Sequence, residues 1–177
     1  MKTVTEILSV EHQHILKVIN SMINECDQLE AGMELDKSYF EKAIDFIKNY
    51  ADKFHHAKEE NILFEELNKD TVHMHCNPIS QMLYEHDTGR NYVKGMEAGL
   101  NENDKNKVIE NARGYAFLLQ DHIYKEENIL YPMADEALDN ETQAEMLVKF
   151  RLAEEDKFPG GMKEKYLSVS KELEVSK

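Results

Sequence analysis

The sequence predicts an all-α fold: an antiparallel, up-down-up-down four-helix bundle with a short C-terminal helical extension. Three observations predict it. Residue usage favours helix, with Glu, Lys, Leu, Ala and Met plentiful against only 7 Gly and 3 Pro in 177 residues. Apolar residues recur at helical spacing in four long segments. The breaks between those segments are short and polar, which favours antiparallel neighbours.

The first helix is expected over residues 3–30, ending near Gly32, with Leu8, Ile15, Ile19, Met22 and Cys26 as its apolar stripe. The second is expected over 36–67 and carries Phe40, Ile44, Ile47, Ala51 and Ile62. In the break KDTVHMHCNP that follows, Asn77 is placed to cap the third helix and Pro78 suits its first turn. The third helix presents Ile79, Met82, Val93, Met96 and Leu100, weakened slightly by Gly89 and Gly95. After a turn at 101–104, the fourth has the cleanest stripe: Val108, Ala112, Tyr115, Leu119, Ile129, Met133 and Ala137. Pro132 is expected to kink or close it. Residues 1–140 read as the bundle and 141–177 as a tail of two weaker helices, 141–156 and 162–173, separated by FPGG. With few apolar residues, the tail is expected to pack loosely on the bundle or extend from it.

The net charge of −14 argues against nucleic acid, whose phosphates require Lys and Arg, and against an anionic membrane surface. No stretch approaches the length of a membrane span, and the first residues mix charge instead of forming a basic head and an apolar block. The two cysteines, Cys26 and Cys76, make no disulfide framework and fit a reducing, cytoplasmic setting.

An internal duplication is the most informative feature. Residues 55–63 read HHAKEENIL and residues 122–130 read HIYKEENIL. One helix upstream of each copy stands a Glu-His pair, Glu11-His12 and Glu85-His86. Each half of the chain is therefore a helix with one His followed by a helix with His-x-x-x-Glu.

Residues four apart share a helix face. His122 and Glu126 fall in the apolar run of the fourth helix, and His55 and Glu59 continue Ala51 toward Ile62. His12 follows Leu8 and precedes Ile15, and His86 lies between Met82 and Val93. Six ionisable groups thus aim into one interior, where isolated carboxylates are costly. Mutual hydrogen bonds or metal would satisfy them. Two copies of one trio favour metal, because two ions bridged by two carboxylates have the matching symmetry. Each ion would take two imidazoles and share Glu59 and Glu126, and a bridging oxygen from solvent would leave about one open position per ion at a preferred coordination of six. His56 and Glu60 offer the same spacing one residue later, but the counterpart of His56 is Ile123, so His55 and Glu59 are taken as ligands. His56, Glu60 and Glu127 would flank them. Glu11 and Glu85 are placed to bond an imidazole on a neighbouring helix. His14, about 200° around the helix from His12, is expected at an edge. His73, His75 and Cys76 read as a capped loop, and Tyr50, Tyr115 and Tyr124 as packing residues within possible reach of the site.

The pattern His12, His55-Glu59, His86, His122-Glu126, with KEENILF and KEENILYP, resembles the hemerythrin-like family, the HHE cation-binding domain, over roughly residues 5–137. The resemblance implies a bundle with an oxo- or hydroxo-bridged pair of Fe ions, with Zn or Mn as substitutes, that meets O2 or related small molecules. The oxygen-carrying members add a second His on the third helix, four after the first. That position here is Arg90, so the chain is more similar to the bacterial and archaeal members. On this resemblance the protein is a metal-dependent binding protein more than an enzyme. It would bind or sense O2, react with NO or peroxide through a partner reductase, or take part in iron-centre repair. A structural or storage metal is the remaining reading.

Overall fold

The computed structural model describes residues 3–175, and among these the secondary structure is helical throughout, in six helices. Helix α1 is Val4–Glu30. Thr3 caps it reciprocally with Glu6, satisfying two otherwise unpaired N–H groups. Helix α2 occupies 37–67 as one continuous right-handed rod. It opens as α-helix over Lys37–Phe46, capped by Asp36, becomes π-helical over Ile47–His56 and Glu59–Leu63, and closes over Phe64–Leu67. Helix α3 is Ile79–Glu102. It starts one residue later than expected: Pro78 precedes the first turn, and Asn77 Oδ1 accepts from the Ile79 N–H at 3.0 Å. Asn103 turns the chain with φ 54°, and Asp104 caps the next helix.

Helix α4 occupies 105–137, as Lys105–Lys125, a π-helical turn at Glu126–Leu130, and Tyr131–Ala137. The π turn corrects the expected stripe. A wide turn holds one extra residue, so the buried side chains after Glu126 are Leu130, Tyr131 and Ala134, while Ile129 is 45% exposed. The same turn receives Pro132, which has no N–H to donate and so opens the last segment without breaking the rod.

The four long helices pack along their lengths, an arrangement compatible with a four-helix bundle. Glu11 of α1 meets His55 of α2, and Ser21 meets Tyr39. Asp52 of α2 meets Arg90 of α3, and Lys48 meets Glu97. Glu85 of α3 meets His122 of α4. Ser9 of α1 meets Glu127 of α4, and Asp27 meets Arg113. Gly95 and Gly99 of α3, and Gly114 of α4, set the α3–α4 approach: an added Cβ would collide with Asn111, Val108 and Tyr92 respectively.

Helices α5 (Asn140–Lys157) and α6 (Met162–Val175) form the extension. Met146, Phe150, Phe158, Tyr166 and Leu173 are buried against α1 and α2, while Val148 and Leu152 face outward. Each such side chain contributes about 1.5–3 kcal/mol, so the extension is held closely rather than loosely. The apolar interior forms two clusters. One holds Leu8, Ile62, Met82 and Leu130, the other Ile15, Ala51, Val93 and Leu119. Between them lies a polar layer.

Candidate metal centre

The polar layer is built from the duplicated segments. His12, His55, Glu59, His86, His122 and Glu126 are each no more than 2% exposed. All six come together: His12 with His55, Glu59 and Glu126 on one side, and His86 with His122 and Glu59 on the other. His12 Nε2 lies 3.2 Å from Glu126 Oε2, and His122 Nε2 lies 3.3 Å from Glu126 Oε1, so this carboxylate spans both sides. Glu59 Oε2 likewise lies 3.5 Å from His55 Nε2 and 3.6 Å from His86 Nε2.

Each of the four imidazoles is fixed from behind. His55 Nδ1 pairs with Glu11 at 3.0 Å, and His122 Nδ1 with Glu85 at 2.8 Å. His12 Nδ1 pairs with Glu127 at 2.6 Å, and His86 Nδ1 with Glu60 at 2.7 Å. A carboxylate at Nδ1 places the proton there and turns Nε2 inward with its lone pair free, the arrangement of metal-ligating histidines. The duplication extends to the supports. Lys58 bonds Glu11 and Lys125 bonds Glu85, each holding the carboxylate that holds an imidazole. The π turns matter here, because they let consecutive glutamates divide the work. Glu59 and Glu126 face the centre, and Glu60 and Glu127 reach across to a neighbouring helix.

The charges in this layer are strongly perturbed. Burial opposes the charged form of His12, but Glu126 and Glu127 outweigh it and raise its pKa to about 9. Burial likewise opposes a charge on His122, which Glu126 and Glu85 overcome, raising it to about 10. Burial lowers His55 and His86. The two central carboxylates divide in the same way. Burial and the nearby Glu126 push Glu59 up, whereas His122 and His12 hold Glu126 down against its burial.

The donors fit a pair of metal ions. Glu59 Oε2 and both oxygens of Glu126 are buried without a hydrogen-bond partner, although imidazole nitrogens surround them. His86 Nε2 and His122 Nε2 face each other at 3.0 Å, a spacing suited to two ligands of one cation. Imidazole and carboxylate donors accept Fe, Mn, Zn or Cu.

Two residues that sequence reasoning did not place at the centre are there. His56 is buried, stacks on His86 at 3.8 Å between ring centroids, and stands with Glu59, His86 and His122 as a possible donor. Tyr131 donates from its hydroxyl to Glu59 Oε1 at 2.6 Å and lies 3.3 Å from His12 Nε2. Its signal was present as the final difference between KEENILF and KEENILY. Of the tyrosines considered from sequence, Tyr124 is 67% exposed and Tyr50 packs among Phe46 and Phe54. His14 is only partly covered, against Tyr50 and Ser170. His73 and His75 line a surface cavity of about 240 Å³ with Met133, and Cys76 Sγ lies 3.9 Å from Met133 Sδ.

A helical core whose imidazoles and carboxylates converge on one another, each oriented from behind, defines a protein that holds metal cations. The hemerythrin HHE cation binding domain matches residues 3–134, and the chain belongs to that family. Comparison with curated proteins and with solved structures gave no match. Among the described residues no helix is long and apolar enough to cross a membrane.

Proposed function

We propose that the protein holds two iron ions in this layer and binds or senses O2 at an open coordination position. The observation that carries the reading is the set of unpartnered carboxylate oxygens of Glu59 and Glu126 facing inward imidazoles. His12 and His55 would hold one ion, His86 and His122 the other, with Glu59 and Glu126 shared. The helix contacts run in opposite chain order, Glu11 with His55 and Ser21 with Tyr39, Asp52 with Arg90 and Lys48 with Glu97. That order supports the antiparallel, up-down-up-down bundle in which four helices deliver ligands to one level.

When bound, iron supplies redox electrons and a vacant position for a small ligand. The chain does the rest. Glu11, Glu60, Glu85 and Glu127 orient the imidazoles, and the apolar clusters above and below exclude water. Tyr131 keeps a hydroxyl proton at Glu59 Oε1. That proton favours a second reading, reaction with NO or peroxide using electrons from a partner reductase. A cytoplasmic site is consistent with free Cys26 and Cys76.

Metal analysis of anaerobically purified protein, with visible spectra before and after O2, tests the proposal. About two irons per chain and a new absorption on oxygenation are expected. Two zincs and a silent spectrum would overturn the oxygen chemistry.

A further inference from the structure

The break between α2 and α3 carries metal-ligating side chains that the central layer does not use. Its sequence VHMHCN, residues 72–77, sets two imidazoles, a thioether and a thiol side by side. The loop is held in place. Asn77 Nδ2 donates to Asn68 Oδ1 at 3.0 Å, tying the two ends of the break together, and the Val72 N–H donates to the Lys69 carbonyl at 2.9 Å. Val72 and Met74 pack against the apolar cluster of Leu8, Ile62, Met82 and Leu130. In an extended run alternate side chains point to opposite sides, so His73 and His75 are exposed where Val72 and Met74 are half-buried.

The facing wall comes from α4. Met133 belongs to the expected apolar stripe, but the π turn at Glu126–Leu130 hands the buried face to Leu130, Tyr131 and Ala134 and leaves Met133 half-buried. The first copy of the duplication has no such residue: the counterpart of Met133 is Glu66, which pairs with Lys69 at 2.7 Å. Met133 thus belongs neither to the fully buried core nor to the duplicated centre. It lines a cavity of about 240 Å³ with His73, Met74 and His75, and none of the six central residues lines that cavity. From the loop side, Cys76 Sγ approaches Met133 Sδ to 3.9 Å.

That spacing is what one ion requires of two sulfur ligands. Metal–sulfur bonds of about 2.3 Å, opened to tetrahedral or trigonal angles, put two sulfurs about 3.8–4.0 Å apart. As a hydrogen bond the contact is feeble, because a thiol is a weak donor and a thioether a weak acceptor. The donor types choose the ion. Thiolate and thioether sulfur select soft cations, and imidazole suits copper as well as it suits zinc or iron. Magnesium, calcium and manganese favour oxygen, and Glu136 supplies the one carboxylate that lines this cavity.

We propose that Cys76, Met133 and an imidazole from His73 or His75 bind a single Cu(I) ion at the surface, in a site separate from the central layer. The Cys76 thiol releases its proton to solvent as it becomes a ligand, and the ion keeps its oxidation state. The site stands whichever metal the central layer holds.

Cu(I) is the probe, supplied anaerobically as its bicinchoninate complex to the full chain with its central metal in place. Transfer is read from the loss of that complex's visible absorption. Copper and the central metal are both measured afterwards, so copper that displaces central metal is counted separately. The wild-type chain is expected to take one Cu(I) beyond the central layer. Cys76→Ser, Met133→Leu and the double variant His73→Ala/His75→Ala are each expected to bind it at least tenfold more weakly. None of these side chains is fully buried, so the fold is retained. Wild-type binding by Met133→Leu would show a thiol acting alone and would overturn the site, as would no transfer to the wild-type chain. Unchanged binding by the double variant would overturn the imidazole's part. Zn(II) in tenfold excess is expected to leave the copper in place, and displacement would overturn the choice of a soft ion.

Discussion

His122 Nδ1 lies 2.8 Å from Glu85 Oε2, and the same relationship joins His55 to Glu11 in the other half of the chain. A carboxylate so placed fixes the ring and raises its basicity toward a metal. Glu85→Ala is therefore expected to weaken metal binding by about 10–100-fold. Glu85→Gln, which still accepts through its carbonyl oxygen, should lose less. Competition with a chelator of known affinity measures both, and equal losses in the two variants would show that charge rather than orientation matters.

Glu59→Ala and Glu126→Ala should empty both ion positions together, because each carboxylate reaches imidazoles on both sides. His14→Ala should leave metal content intact, since its ring faces Ser170 and Tyr50 rather than the centre. Elemental analysis decides, and retention of one ion in Glu126→Ala would show that the carboxylate is not shared.

The metal-free protein should have an unusual pH dependence. His12 and His122 are raised from the ordinary 6.5 to about 9 and about 10, so their stabilisation is complete below 6.5 and is lost as pH rises through 9 and 10. His55, His56 and His86 are lowered, so in the folded state they resist charging, and stability also falls as pH drops below 6.5. Thermal melts of chelated protein should therefore peak near pH 6.5–7. Metal uptake should strengthen with rising pH over the same alkaline range, because His12 and His122 must release protons to become ligands. A flat melting profile from pH 7 to 10 would contradict the charge assignment of these two residues.

Chelation should also lower thermal stability outright. An ion present at about a thousand times its dissociation constant stabilises the folded state by about 4 kcal/mol. For a chain of this size that corresponds to a fall in Tm on the order of 10 °C on metal removal. Calorimetry with and without chelator measures the difference.

Gly99→Ala should destabilise the protein by about 1–3 kcal/mol despite the better helix propensity of Ala. Its Cβ would stand 2.9 Å from the Val108 backbone nitrogen and 3.3 Å from the Asp104 carbonyl, neither of which is free to turn aside. Denaturant unfolding checks the sign.

The sequence by itself made legible the helices and the inward aim of the six residues of the polar layer. Those features are local or periodic: apolar residues recur at helical spacing, and His122 and Glu126 share a face because four residues nearly complete a turn. Duplication carried the rest, since the identical KEENIL segments place equivalent groups at equivalent levels. What only the tertiary structure decided lies where the helix departs from regular pitch or where partners come from distant segments. The π turns at Glu59–Leu63 and Glu126–Leu130 shift the buried face by one residue, so Leu130 and Tyr131 turn inward in place of Ile129. A periodic pattern carries no mark of that extra residue. The positions of His56 against His86 and of the Tyr131 hydroxyl over Glu59 depend on crossings between helices far apart in sequence, and packing alone sets them.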